Sequence, residues 1–296
     1  MTDALSDFSD ALAARVASGA KSVVAITLPG LLPLSAILWR KGVAVTSEQV
    51  LAEGDNYTAV LPGGAKVPAK LAGRDPGSNV AAFTLEADAP ALERSPSVAV
   101  GELAILVGAD GEGGPTARLG SVRRLGPAWN SMMGGKIDRL IVLDANLRPD
   151  TEGGPVLDAR GRLIGLATSG PRRRAMVIPH ETIDRVLEPL LMEGRVARGW
   201  LGVGVQPVKI PDNMSAAAGR ETGLMLASLA KDGPAEKAGL MPGDIILDLD
   251  GQPVGDARGL GRMFGPDRVG KPVSLRILRA GAVKEVSVTV GARPAR

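Results

Sequence analysis

Apolar positions along this chain change period several times. Leu5, Phe8, Leu12 and Val16 recur at helical spacing, which predicts a short amphipathic helix over residues 4–17. From about residue 22 to 167 the pattern shifts to short apolar runs bounded by turn residues. Tyr57–Leu61 and Lys66–Leu71 flank Pro62, Gly63 and Gly64, which is a hairpin signal. Residues 101–108, 117–125, 137–143 and 163–167 predict further strands. No helical stretch long enough for a crossover separates them, so the pattern predicts antiparallel barrels rather than a parallel sheet. Ile183, Val186, Leu187, Leu190 and Leu191 then form one apolar helical face, and Gly194 supplies a stop. Residues 195–200 read as a link. The chain closes on a hairpin: Val273, Leu275 and Ile277 alternate with polar residues, Ala280–Ala282 turns, and Val286, Val288 and Val290 alternate again.

The uncharged stretch from Ser22 to Trp39 changes this picture little. It contains Pro29, Gly30 and Pro33, so it reads as two buried strands joined by a turn rather than a membrane span. A length of 296 residues accommodates one large domain and one small one. Aromatic residues make up only 2% of the chain against 45% hydrophobic, so its cores must be aliphatic.

Absence of cysteine excludes disulfides, thiolate metal sites and a thiol nucleophile. The single histidine, His180, excludes a histidine-rich metal site, and no metal or cofactor is expected. His180 precedes the second helix and reads as a structural group at its start. A net charge of +3, with no basic run interleaved with aromatics, gives no support for a nucleic-acid partner. Arg172, Arg173 and Arg174 form the one dense basic cluster, either a solvated loop or a site for an acidic ligand. Asp3, Asp7 and Asp10, with no early Lys or Arg, are the opposite of a secretory leader. The expectation is a soluble cytoplasmic protein.

The segment Gly233–Val254 (GPAEKAGLMPGDIILDLDGQPV) carries the most specific signal. Pro234 can open a helical turn, Gly239 can end it, and Gly243 and Gly251 suit tight turns around a buried strand. The segment resembles the PDZ domains of bacterial HtrA/Deg proteases. Arg198–Val203 (RGWLGV) is similar to that family's entry into the domain. The resemblance implies that Trp200, Leu201, Gly202 and Val203 form a loop whose N–H groups hold a peptide carboxylate. It also implies that Leu260 and Phe264 lie on a helix lining the groove, weakened by Gly259 and Gly261. The groove could be open, or closed within an assembly.

Upstream, the chain resembles the trypsin-like domain of the same family. Asp144–Val156 (DANLRPDTEGGPV) is similar to the loop that bears the nucleophile, with Glu152 at the serine position and Asp150 at the oxyanion-hole glycine. Thr46–Val50 (TSEQV) places Gln49 at the histidine position. Asp75–Ala81 (DPGSNVA) places Asn79 at the acid position. Beyond residues 163–167 the family has a glycine-rich loop that shapes its specificity pocket, and here the connection is the short run Ser169–Arg174.

The resemblance therefore implies a mostly β chain: residues 1–20 an N-terminal helical segment, 21–195 a trypsin-like double β-barrel, and 196–296 a PDZ domain. Glutamine cannot serve as the base and glutamate does not form the usual acyl-enzyme, so the motif reading predicts a non-enzyme, a pseudoprotease. Three functions follow as expectations. The first is a scaffold, adaptor or chaperone-like subunit that binds peptide C-termini. The second is an assembly module in a larger complex, with family-like trimerisation through Leu5, Phe8 and Leu12. The third is an enzyme that uses Glu152 differently, as a general acid or base.

Overall fold

A computed structural model describes residues 3–88, 90 and 92–294. The chain divides into two compact units, one ending at Val196 and one starting at Ala197. The first opens with helix α1 (Ala4–Ala20), where the Asp3 carboxylate accepts from the Leu5 N–H as an N-cap. Leu12 and Val16 of α1 pack on the core, while Leu5 and Phe8 stay exposed.

Six strands follow: β1 (Val23–Thr27), β2 (Leu34–Arg40), β3 (Val43–Ser47), β4 (Tyr57–Val60), β5 (Lys66–Asp75) and β6 (Val80–Leu85). They close into an antiparallel barrel in the order β1-β2-β3-β6-β5-β4. The uncharged stretch from Ser22 to Trp39 thus becomes β1, a turn and most of β2, with Val23↔Ile37 in register. Its apolar character reflects burial on both faces, since nearly every residue of β1 and β2 is buried.

A second closed barrel is built from β7 (Leu103–Ala109), β8 (Pro115–Gly126), β11 (Leu140–Asn146), β12 (Pro155–Leu157), β13 (Leu163–Ser169) and β14 (Arg174–Pro179), in the order β11-β14-β13-β12-β7-β8. Between β8 and β11 a hairpin is formed by β9 (Trp129–Asn130) and β10 (Lys136–Ile137). The sequence pattern did not reveal this hairpin, because two-residue strands carry no readable alternation. The predicted strand over 137–143 accordingly splits into β10 and β11. Helix α2 (His180–Glu193) packs Ile183, Val186, Leu187 and Leu190 against the core and ends at Gly194 in the left-handed conformation. The chain is mostly β, with two closed barrels of the trypsin-like fold followed by a PDZ domain.

The second unit is an antiparallel sheet with short helices. Its elements are β15 (Gly199–Trp200), β16 (Val203–Lys209), α3 (Asp212–Ala218), β17 (Thr222–Leu229), α4 (Pro234–Lys237), β18 (Ile245–Leu249), β19 (Gln252–Pro253), α5 (Ala257–Arg262), β20 (Pro272–Arg279), β21 (Ala282–Thr289) and β22 (Gly291–Ala292). The main sheet runs β16-β17-β18-β20-β21, so β16 is an edge. Val273, Leu275 and Ile277 on β20 and Val288 on β21 point into one core with Leu224, Ile246 and Leu249. Each such side chain contributes about 1.5–3 kcal/mol through removal from water.

Candidate functional site

The cleft between the barrels gathers the residues singled out at the triad positions. Ser47 ends β3, and a single turn beyond it carries Gln49. Asn79 lies in the tight β5–β6 connection at φ 58°, a left-handed conformation that asparagine tolerates better than most residues. That connection is built on Asp75, whose carboxylate accepts from the N–H groups of Gly77 and Ser78. Glu152 comes from the loop before β12 and Ser169 from the end of β13.

These groups form one hydrogen-bonded cluster. The Asn79 Oδ1 accepts from the Gln49 backbone N–H at 2.7 Å, and its Nδ2 donates to Thr168 Oγ1 at 2.6 Å. The Gln49 Nε2 lies 2.9 Å from both Glu152 Oε1 and Thr168 Oγ1, donating to each. Glu152 Oε1 also accepts from the Ser169 N–H at 3.2 Å, and Oε2 accepts from the Ser169 hydroxyl at 2.8 Å. Glu152 is 6% exposed, so these donors replace water around a buried carboxylate.

The turn before Glu152 is folded on itself. The N–H groups of Thr151 and Glu152 both donate to the carbonyl of Arg148 at 3.1 Å. The Asp150 carbonyl accepts from Ser35 Oγ at 2.8 Å and Thr116 Oγ1 at 3.2 Å. Gly153 at φ 84° lets the chain leave this turn, and any Cβ there would meet the Ser35 carbonyl at 2.2 Å. The carboxylate of Asp150 is 3.8 Å from Arg148.

Motif reading identified Gln49, Asn79, Glu152 and Asp150 but missed Ser47, Thr168 and Ser169. Ser47 and Ser169 lie inside the quoted runs Thr46–Val50 and Ser169–Arg174, and Thr168 lies just past the predicted strand over 163–167. Their hydroxyls acquire meaning only when β3 and β13 come together. His180 sits elsewhere, as the first residue of α2, with Nε2 3.2 Å from the Ser95 carbonyl.

In the second unit, Trp200 pairs with Gly291 between β15 and β22. The carbonyl of Leu201 accepts from Ala235 of α4, and that of Gly202 from Ala230. In a trans peptide, C=O and the following N–H point opposite ways. The Gly202 N–H therefore turns away from α4, and the Val203 N–H turns away from Ala230 and the β17 side of β16. Gly202 adopts φ 78°, which only glycine takes readily. Helix α5 packs beside β16, capped by Asp256, whose carboxylate accepts from the Gly259 N–H at 2.7 Å. Leu260, Phe264 and Leu201 are buried in the same cluster, with Val203 and Val205 half-buried at its margin. The residues proposed for the groove are thus its floor more than its walls.

Residues 34–166 match the trypsin-like peptidase domain family and residues 199–290 the PDZ domain family. The chain is 33% identical to a probable periplasmic serine endoprotease, DegP-like, from Brucella suis over 87% of its own length and 52% of that protein's. It is 30% identical to the protein of the same name from Ectopseudomonas mendocina over 87% of this chain and 56% of the relative. The HtrA-type protease AlgW, solved with a decapeptide, superposes with TM-score 0.73 at 26% identity, covering 96% of this chain and 99% of that one. This chain belongs to the HtrA family. It spans about half the length of the curated relatives it matches.

The chain was expected to be a non-enzyme, but its relatives are named serine endoproteases and point to a protease. The motif reading rests on the residues at the triad and oxyanion positions, Gln49, Asn79, Glu152 and Asp150, and takes no account of the Ser169 hydroxyl, which the folded cleft sets against the Glu152 carboxylate. A cytoplasmic location was also expected, but the curated relatives are named as periplasmic. Asp3 caps helix α1 and Asp7 and Asp10 lie within it, so their charges belong to a folded helix and do not report on a leader. Among the described residues, no helix is long and apolar enough to cross a membrane.

Proposed function

We propose that this chain handles polypeptides in the periplasm as an HtrA-family protease chain, capturing protein C-termini through its PDZ domain. The observation that carries this reading is the orientation of the Gly202 and Val203 N–H groups beside the free edge of β16. An anionic terminus bound there accepts charge-assisted hydrogen bonds, and the peptide continues β16 as an added strand. The peptide-bound AlgW structure supports the same reading. We assign residues 1–20, 21–195 and 196–296 to helical segment, trypsin-like domain and PDZ domain. Trp200, Leu201, Gly202, Val203, Leu260 and Phe264 make the groove. The exposed Leu5 and Phe8 of α1 support assembly as a homotrimer.

The test is fluorescence anisotropy with an apolar peptide bearing either a free carboxylate or a C-terminal amide. Amidation is expected to weaken binding about tenfold or more. Equal affinity for the two peptides would defeat carboxylate capture.

A second reading concerns the cleft. The 2.8 Å contact between Ser169 Oγ and Glu152 Oε2 favours proteolysis through a rearranged hydroxyl–carboxylate pair. Casein digestion and labelling by a fluorophosphonate, both lost in Ser169→Ala, support it. Digestion that survives that substitution places the chemistry elsewhere.

A further inference from the structure

The loop that joins β13 to β14 begins at the buried carboxylate and ends in arginines. Ser169 bonds to Glu152, and the chain then passes through Gly170 and Pro171 to Arg172, Arg173 and Arg174. Two hydrogen-bonded contacts pin this loop to the end of β11. The Leu147 N–H donates to the Arg173 carbonyl at 3.0 Å, and Arg174 pairs with Asn146. Arg148 follows directly, with 66% of its side chain exposed, and Arg118 reaches in from β8 to the Asn146 carbonyl. Arg118, Arg148 and the run Arg172–Arg174 therefore meet at the segment 146–148, which Asp144 and Asp150 flank in sequence.

Arg172 and Arg173 are both exposed, and neither side chain has a partner among the described residues. Both sit in the left-handed region, at φ 57° and 58°. Side-chain-bearing residues enter that region at a cost, and a pair in succession persists only where the surroundings impose it. The chain thus holds two unpaired cations in a strained turn at one end of the cleft.

We propose that this rim is a docking site for acidic polypeptide segments, which places Asp or Glu side chains beside the cleft. The proposal deepens the polypeptide-handling reading and rests on it. Arginine presents a planar fork of donors that matches a carboxylate, and several together suit a run of acids more than a single one. Nucleic acid is the other polyanion such a surface could attract. Residues 116–120, 144–150 and 169–174 contain no aromatic side chain on which a base could stack, so an acidic peptide fits better.

The experiment uses the full chain and three fluorescent probes. They are an octapeptide with four Glu, its isosteric Gln counterpart, and octauridylate. Both peptides are acetylated and amidated, so that carboxylate capture by the PDZ domain plays no part. The Glu peptide is expected to bind about tenfold tighter than the Gln peptide at low ionic strength, and the gap should shrink in half-molar salt. The double variant R172Q/R173Q should erase the gap, while R123Q/R124Q on β8 should keep it. The melting temperature of R172Q/R173Q and its affinity for a free C-terminal peptide should stay at wild-type values, which separates this site from the PDZ groove. Equal binding of the two peptides, a gap that survives R172Q/R173Q, or tighter binding of octauridylate than of the Glu peptide would each overturn the proposal.

Discussion

The side-chain amide of Gln49 donates to the carboxylate of Glu152 at 2.9 Å, joining the first barrel to the second. The two residues are 103 positions apart in the chain. Neither is apolar, yet both lie where the barrels face each other, and the bond ties that face together. Glu152 draws further donors from Ser169 on β13, so one carboxylate organises three segments.

Removing that carboxylate leaves buried donors unanswered. Glu152→Ala is expected to cost about 2–4 kcal/mol, read from urea unfolding of the full chain. Glu152→Gln should cost less, because its carbonyl still accepts from Gln49 and the Ser169 hydroxyl can turn to accept from the new amide. Equal and negligible losses in the two variants would show that the cluster carries no stability.

Gly108 on β7 lies against the turn before Glu152. A Cβ at this position would fall 1.9 Å from the Asp150 carbonyl and 2.6 Å from Thr116 Oγ1. Gly108→Ala must push that carbonyl away from Ser35 and Thr116. A destabilisation of about 2 kcal/mol or more is expected by thermal melting, with altered exchange of the Thr151 and Glu152 amides. Unchanged melting and exchange would mean that the turn yields freely.

The PDZ loop depends on Gly202 in a comparable way. An added Cβ would meet Ala230 and Trp200 at 3.2 Å, in a conformation that side chains avoid. Gly202→Ala is expected to destabilise by about 1–2 kcal/mol and to weaken free C-terminal peptides more than amidated ones. An equal loss for both peptides would assign the effect to folding alone.

Acid stability should report on Asp244 of the PDZ unit and Asp158 of the barrels. Burial pushes the Asp244 carboxyl up, but the Arg279 guanidinium and the Met241 N–H outweigh it and hold the group below the usual carboxylate value. Asp158 follows the same balance, with Arg162 and Ser95 as its donors. A depressed folded-state value gives stabilisation that is present above the unfolded value near about 3.9. It is lost as pH falls through the folded value. Stability measured by urea unfolding should therefore decline below about pH 4, and Asp244→Asn should flatten that decline for the PDZ unit. An unaltered slope would remove Asp244 from the account.

Leu5 and Phe8 are 73% and 45% exposed on α1. Light scattering at micromolar concentration is expected to give three times the chain mass, falling to one in Leu5→Ser/Phe8→Ser. A monomeric wild type would end the trimer proposal.

Sequence by itself determined most of the longer elements and the mostly β character of the chain. Period-two alternation around Val273–Ile277 and Val286–Val290, the turn residues at Gly239, Gly243 and Gly251, and the uncharged run that became β1 and β2 are local signals, and local backbone chemistry suffices to read them. The triad-position residues were legible because each sits within a recognisable run of neighbours. What only the tertiary structure decided is which of them touch. Ser47, Thr168 and Ser169 look like ordinary strand-end hydroxyls until the packing of one barrel on the other brings β3 beside β13. The arginines of residues 172–174 were an ambiguous loop until the β11–β14 pairing set them around Asn146. A hydrogen bond or a charge cluster between distant residues depends on register and strand order. These are fixed by packing of the whole barrel, and no short window of sequence contains them.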